Sequence, residues 1–296
     1  MSLDASLIER LPDEFPQTRR ILIAFSGGLD SRVLLHLAAS VRERLTAALR
    51  AVHIDHGLQA ESGQWAEACR TLCRRLAIPL DVLEANLRPE KGQSVEAEAR
   101  QHRYALFESL LLPGDLLLLA QHADDQAETV LLQLLRGAGP AGLAAMPRTR
   151  RLGAGLLVRP LLDVPRAALE DFARHKGLDW IDDPSNRQHR FDRNYLRHEI
   201  LPLLEKRFPA YRQTLARSAA HCAESAGMLD ELIARDLADC LDARDNSLQL
   251  EKLRDLPQTR WKSVIRAWIG ANSCRMPQTR QLEQIVRDFL LNLTAS

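Results

Sequence analysis

The stretch ILIAFSGGLDSR, Ile21 to Arg32, decides the fold. Its five apolar residues (21–25) read as a strand buried on both faces, and a helical pattern begins at Ser31. Ser26-Gly27-Gly28-Leu29-Asp30-Ser31 therefore lies at the carboxyl end of a strand and opens a helix. Ligands of open α/β sheets bind at that end. Glycine lets the backbone approach a phosphate closely, and a helix N-terminus offers unpaired N–H groups and the positive end of its dipole. Ser26 and Ser31 add hydroxyl donors. Asp30 would repel phosphate unless a divalent cation lies between them, and Mg²⁺ favours a few carboxylates together with phosphate oxygens. The loop is neither a Walker A motif nor a Gly-x-Gly-x-x-Gly fingerprint. A plain capped turn would share part of its pattern.

Outward from this loop, apolar runs alternate with helical patterns. Strands are expected at 51–55, 80–87, 116–120 and 156–162, with helices over 31–49, 61–76, 94–112 and 124–136 and from 165 onward. The segment 136–147 is rich in glycine and proline and reads as a loop. The expected fold class is α/β, a doubly wound, mostly parallel sheet with helices on both faces. A helical linker and a small, mainly helical C-terminal domain follow it. The expected division is a catalytic domain over 1–208, a linking helical segment over 209–241 and a small domain over 242–296.

The 46% hydrophobic and 27% charged composition of the 296 residues is globular, and a core can form without covalent staples. The five cysteines are an odd number without a Cys-x-x-Cys, which argues against a disulfide framework. Cys69 and Cys73 are spaced as one helix face and read as small buried hydrophobes. The charged start and the absence of a long apolar run predict a cytoplasmic protein with no membrane partner. A formal net charge of only +1 means that any nucleic-acid contact must come from local patches.

Two more strand ends carry polar residues. HIDHGL (53–58) places Asp55, flanked by His53 and His56, at the end of the second strand. QHADDQAET (121–129) places His122, Asp124, Asp125 and Glu128 at the start of a helix. Acidic residues there are favoured by the helix dipole alone, but three polar strand ends together suggest one site. Glu96, Arg100 and Arg103 share a helix face, as an exposed ion pair or as a source of positive charge near phosphates. Arg148, Arg150 and Arg151 form one basic run, and Arg187, Arg190, Arg193 and Arg197 a second around Asn194. Either can be a solvated face or can meet phosphates. Trp180 and Phe191 can stack on an unpaired base, although core is the commoner place for such a tryptophan.

The loop Ser26–Ser31 and the two polar strand ends resemble the PP-loop (adenine nucleotide alpha hydrolase-like) ATP-pyrophosphatase superfamily. With RGAGPAGLAAM (136–146), RPLLDVPRAAL (159–169), WIDDPSN (180–186) and RNYLRHEILP (193–202) in order, residues 20–210 look like the tRNA(Ile)-lysidine synthetase family. The tail resembles that family's small second domain more loosely. The resemblance implies ATP and Mg²⁺ as cofactors, with free L-lysine and an isoleucine tRNA with a CAU anticodon as substrates. It implies adenylation of C2 of the wobble cytidine, followed by attack of the lysine amine. Ser26, Gly27, Gly28, Leu29, Asp30, Ser31 and Arg100 are then expected to bind ATP, with Asp30 and Asp55 as metal ligands. Asp30, Asp55, His122, Asp124 and Asp125 are the expected catalytic set. Arg148, Arg150, Arg151, Arg187, Arg190, Arg193, Asn194 and Arg197 are expected to meet tRNA. Longer relatives carry a further C-terminal domain, so the chain reads as a short form or a cut one, and a homodimer stays open. The alternatives are a tRNA thiolase of the same superfamily, which typically uses paired cysteines, an ammonia-using ligase, which needs a glutaminase, and a catalytically silent RNA- or nucleotide-binding module.

Overall fold

The computed structural model describes residues 3–55, 57, 62–85, 95–182, 191–242, 244–272 and 276–291. His56, Arg187, Arg190, Cys274 and the side chain of Glu96 lie outside the described residues. The chain divides into two compact units, 1–219 and 220–296. No helix among the described residues is long and apolar enough to cross a membrane.

The first unit is built on strands β1 (Arg20–Ala24), β2 (Ala48–Asp55), β3 (Leu80–Glu84), β4 (Asp115–Leu118), β5 (Thr149–Leu152) and β6 (Gly155–Val158). They form one sheet in the order β3-β2-β1-β4-β6-β5, parallel except for the antiparallel β5–β6 pair. Helices α1 (Leu29–Val41), α2 (Ser62–Arg75), α3 (Val95–Leu110), α4 (Ala123–Leu135) and α5 (Arg166–His175) surround it. The strands are apolar throughout because successive side chains fill two different cores. Ile21 and Ile23 of β1, with Leu116 and Leu118 of β4, meet Val33, Leu34 and Leu37 of α1, Cys69 and Cys73 of α2, and Leu169 of α5. Leu22, Leu117 and Leu157 face the other way, against Phe107 and Leu111. Each fully buried Ile or Leu contributes about 1.5–3 kcal/mol relative to exposure.

The order of strands reverses between β1 and β4. The loop after β1 and the loop after β4 thus open on one crevice, the topological switch point where open α/β sheets bind ligands.

The expected elements stand where the periodicity put them, with some differences. The first helix ends at Val41 and a 3₁₀ turn (Arg42–Arg44) follows, rather than helix to residue 49. The fifth expected strand stops at Val158, because Pro160 cannot donate to a ladder. Thr149–Leu152, expected as part of a basic loop, is an edge strand joined to β6 through Gly153 and Ala154. Gly153 has φ +54°, and a Cβ there would lie 2.8 Å from Glu108 Cγ, so the turn requires glycine on both counts. The 136–147 loop contains one helical turn, Pro140–Leu143.

A helical run follows as α6, Asp192–Tyr195, continued by a π turn at Leu196–Ile200 and by helix Leu201–Arg207. Pro202 accounts for the π turn: it lacks the N–H that an α-helix would give to the residue 198 carbonyl. Helix α7 spans Tyr211–Cys240. In the second unit, α8 (Leu250–Asp255), α9 (Gln258–Ala271) and α10 (Thr279–Val286) bury Leu253, Trp261, Val264, Ile265 and Leu282 together. The Trp261 indole N–H donates to the Leu256 carbonyl at 2.9 Å, so its polar atom is satisfied inside that core.

Candidate active site

The loop after β1 is held from within and from behind. Ser31 Oγ donates to the Gly28 carbonyl at 3.0 Å and accepts from the Ser26 N–H at 3.2 Å, while the two serine hydroxyls lie 3.1 Å apart. Gly28 is the N-cap of α1 in an extended conformation. Behind the loop, the Ile181 N–H donates to the Gly27 carbonyl at 3.0 Å. Gly27 has φ +85°, and a Cβ on it would lie 2.6 Å from Ile181 Cδ1 and 3.1 Å from Cys69 Sγ. Gly27→Ala is therefore expected to cost about 1–3 kcal/mol of stability. Thermal melts check this, and an unchanged midpoint would contradict the strained turn.

Cys69 and Cys73 are the buried hydrophobes their spacing suggested. Burial pushes their thiols up, to about 12 and about 11. Trp180 is different: it is 40% exposed, and its neighbour Ile181 takes the inward place against the loop.

Opposite the loop stands the start of α4. His122, completely buried, is its N-cap. The Asp125 N–H donates to His122 Nδ1 at 3.4 Å, and the His122 N–H donates to Asp125 Oδ2 at 3.2 Å. With Nδ1 accepting, the ring proton sits on Nε2, which lies 3.6 Å from Asp30 Oδ2 and 3.5 Å from Asp125 Oδ2. Burial works to lower the His122 pKa, but Asp30, Asp125 and Asp124 outweigh it and raise it above the ordinary value. Burial likewise works to raise the Asp30 carboxyl, and His122, Arg166 and Arg197 outweigh it, so Asp30 sits below the ordinary range. Asp30 Oδ1 is buried and has no hydrogen-bond partner among the described residues.

A second layer of charge fixes α4. Glu128, with no exposed surface, accepts from Arg197 Nε at 2.6 Å and Nη2 at 3.0 Å, and Arg193 Nε lies 3.3 Å away. Arg197 Nη2 also reaches Asp125 Oδ1 at 3.1 Å. Arg197 stands on the π turn, where the widened helix aims it into α4. Asp124 accepts from the Arg166 N–H at 2.8 Å and from Arg212 Nε at 2.6 Å, which ties α4 to the first turns of α5 and α7. Burial works to raise the Asp124 carboxyl, but these two donors outweigh it and the net shift is downward. The native state thus holds this proton less readily than the unfolded chain does. The resulting stability is complete above the unfolded pKa of about 4 and is lost as pH falls through the lower native value. Asp124→Asn should flatten that acid limb of stability. Denaturant melts across the acid range check it, and an unchanged limb would contradict the pairing.

The structure thus brings Asp30, His122, Asp124 and Asp125 together, and adds Arg193 and Arg197, which the sequence suggested as part of an RNA surface. Asp55 lies at the end of β2, where its Oδ1 accepts from the Gly57 N–H at 2.9 Å; no contact among the described residues joins it to Asp30. His53 Nδ1 pairs with the Phe25 carbonyl at 2.8 Å, a buried strand-end role. Arg100 lies over the Tyr104 ring. Arg148 pairs with Glu14 at 2.7 Å, Arg151 is exposed on β5, and Asn194 is buried in α6. Sequence reasoning missed Arg212 and Ile181, because nothing near either in the chain signals what it touches.

Among the described residues no three His, Cys, Asp or Glu side chains are grouped as a metal cage. Mg²⁺ does not need one: it keeps waters and binds through one or two carboxylates plus substrate phosphates. The unpartnered Asp30 Oδ1, beside a phosphate-type loop, fits that role.

A family model described as "PP-loop domain" matches residues 3–204, and one described as "TilS substrate binding domain" matches residues 248–295. The chain is 46% identical over 269 residues to the tRNA(Ile)-lysidine synthase of Coxiella burnetii, covering 91% of this chain and 60% of that protein. It is 47% identical over 269 residues to that of Methylococcus capsulatus, covering 90% and 61%. The chain therefore spans about 60% of the length of these curated relatives. Among solved structures, the U34-tRNA thiolase NcsA from Methanococcus maripaludis superposes with a TM-score of 0.61 over 74% of this chain and 78% of that one. At 17% identity this is a likeness of fold.

Proposed function

We propose, from the premise that this chain belongs to the PP-loop domain family, that it joins lysine to C2 of the wobble cytidine of an isoleucine tRNA bearing a CAU anticodon. The observation that carries this reading is the facing pair at the switch point: the Ser26–Ser31 loop with an unpartnered Asp30 oxygen, opposite His122, Asp125 and their arginines. The match of residues 248–295 to a substrate-binding domain supports it, as do relatives named tRNA(Ile)-lysidine synthase.

In this reading the cytidine O2 attacks the α-phosphorus of ATP and pyrophosphate leaves. The ε-amine of lysine then attacks C2, and AMP leaves with the former O2. The backbone N–H groups of Gly27, Gly28 and Leu29 and the Ser26 and Ser31 hydroxyls hold the pyrophosphate, with the α1 dipole behind them. Asp30, with Asp55 as a second candidate, would hold Mg²⁺, which would supply positive charge beside the phosphates. Lysine arrives as an ammonium and must lose a proton before it can attack. Asp30, whose Oδ1 has no partner among the described residues, is the carboxylate proposed to meet that cation, beside the buried His122. Asp124 and Asp125 act through position, since both oxygens of each are already engaged, Asp124 by Arg166 and Arg212 and Asp125 by the His122 N–H and Arg197.

Residues 1–208 then carry the chemistry, 209–241 link, and 242–296 help hold the tRNA, in the cytoplasm. The thiolase reading has less support, because Cys69 and Cys73 are buried and their thiols are pushed well up.

The test is AMP release from ATP with Mg²⁺, lysine and the unmodified tRNA, each omitted in turn. AMP that depends on the tRNA supports the reading. AMP release indifferent to the tRNA overturns it.

A further inference from the structure

Away from the acidic cluster, three arginines converge on one phenol. The Arg100 guanidinium lies 5.1 Å from the Tyr104 ring centroid and that of Arg150 lies 4.9 Å from it. Arg159, only 3% exposed, interacts electrostatically with the Tyr104 phenol. Its Nη1 donates to the Pro147 carbonyl at 2.7 Å and its Nε donates to Gln121 Oε1. Among the described residues, none of the three arginines meets a carboxylate. Arg159 is buried without a carboxylate, Arg150 is half-buried and Arg100 is exposed; a buried charge is ordinarily paired, so the three cations ordered around a neutral ring make a site for an anion. Burial works to raise the Tyr104 phenol, but Arg100, Arg159 and Arg150 outweigh it and lower it, which is the sign of a positive local potential.

The cluster's place matters as much as its charge. Arg159 directly follows β6, Arg150 pairs in register with Leu157 near the end of β6, and Gln121 closely follows β4. The cluster therefore stands on the same carboxyl rim as the phosphate loop after β1. It is two strands along, or about 10 Å at the usual strand spacing. In the intervening site Asp124, Asp125 and Glu128 are paired with arginines, and Asp30 keeps an oxygen without a partner among the described residues. A substrate that offers a reacting base to the centre and a negatively charged chain beside it would satisfy both. The edge strand β5 leaves Arg150 accessible from solvent.

We propose that Arg100, Arg150 and Arg159, ordered around Tyr104, form a second anion site that takes a backbone phosphodiester of the RNA substrate beside the nucleotide being modified. This rests on the reading that the substrate is a tRNA. ATP carries the same phosphate chemistry, but the loop after β1 already provides for it, so the RNA is the expected occupant.

The test uses the full chain and a fluorescent transcript of the CAU-anticodon isoleucine tRNA, titrated across a range of salt. Arg150→Gln and Arg100→Gln should each weaken binding several-fold. Each should also lower the slope of log K against log salt by about 0.7–0.9 for each phosphate no longer neutralised. Arg150→Lys, which keeps the charge, should keep the slope. The unfolding midpoint of Arg150→Gln should match the wild type, which separates a weaker RNA interface from a damaged fold. If the wild type binds the transcript and both glutamine variants leave affinity and slope unchanged, the inference fails and the proposed function stands. If the variants raise the KM for ATP while tRNA affinity holds, the anion belongs to the nucleotide and the inference also fails. If the wild type does not bind the transcript at all, both fall together.

Discussion

Asp30→Asn is expected to lower the rate of AMP release by about 1,000-fold, the scale seen when one preorganised electrostatic group is removed from a water-excluded site. The side chain stands in the first turn of α1, with one oxygen 3.6 Å from His122 Nε2 and the other buried without a partner among the described residues. Among the described residues nothing bonds to that second oxygen, which leaves it open to a bound cation. The amide keeps the size of the carboxylate and removes its charge, and with it a ligand for a cation and a counter-charge for His122. The fold should survive, because no described hydrogen bond of the loop uses the Asp30 side chain. Single-turnover AMP release, read beside the unfolding midpoint, checks this. A rate within about tenfold of the wild type with an intact midpoint would remove Asp30 from the chemistry.

Arg197→Ala is expected to destabilise the first unit by about 3–5 kcal/mol, the range for stranding one partner of a buried ion pair. Glu128 is fully buried and would retain only Arg193, and Asp125 would be left without its arginine. Burial already pushes the Glu128 carboxyl up against the pull of Arg197, so it would partly escape the penalty by taking up a proton. The double variant Arg197→Met with Glu128→Leu removes both charges and should recover much of the stability while remaining inactive. Denaturant melts of the three proteins check this. A single variant as stable as the wild type would mean that the pair does not hold α4 in place.

The fold was legible because strand and helix periods alternate cleanly up to Leu135, and because turn residues stand at each strand end. The edge hairpin was not. TRRL carries two arginines in four residues, and the Gly/Pro-rich stretch before it reads as loop; only the Gly153 turn betrays a strand pair. The loop Ser26–Ser31 and the cluster at His122, Asp124 and Asp125 could be read because each sits at a strand end of known polarity. Their partners could not. Arg197 and Arg193 lie about seventy residues from Glu128 in the chain, and only the π turn before Pro202 aims Arg197 at it. Arg212 meets Asp124 across eighty-eight residues. Trp180 carried an ordinary expectation of burial, but its neighbour took the inward place. Long-range ion pairs leave no local period, so sequence finds the charge and not its counter-charge.

A site that carries an amine onto an adenylated RNA base leaves that amine on the wobble nucleotide. The most direct measurement is the mass of the wobble nucleotide after incubation of the tRNA with the protein, ATP, Mg²⁺ and isotopically labelled lysine. The expected result is a gain of one lysine less one water, carrying the label, at the anticodon cytidine alone and absent with the Asp30→Asn protein. An unlabelled or unchanged cytidine, in a reaction that still releases AMP, would contradict it.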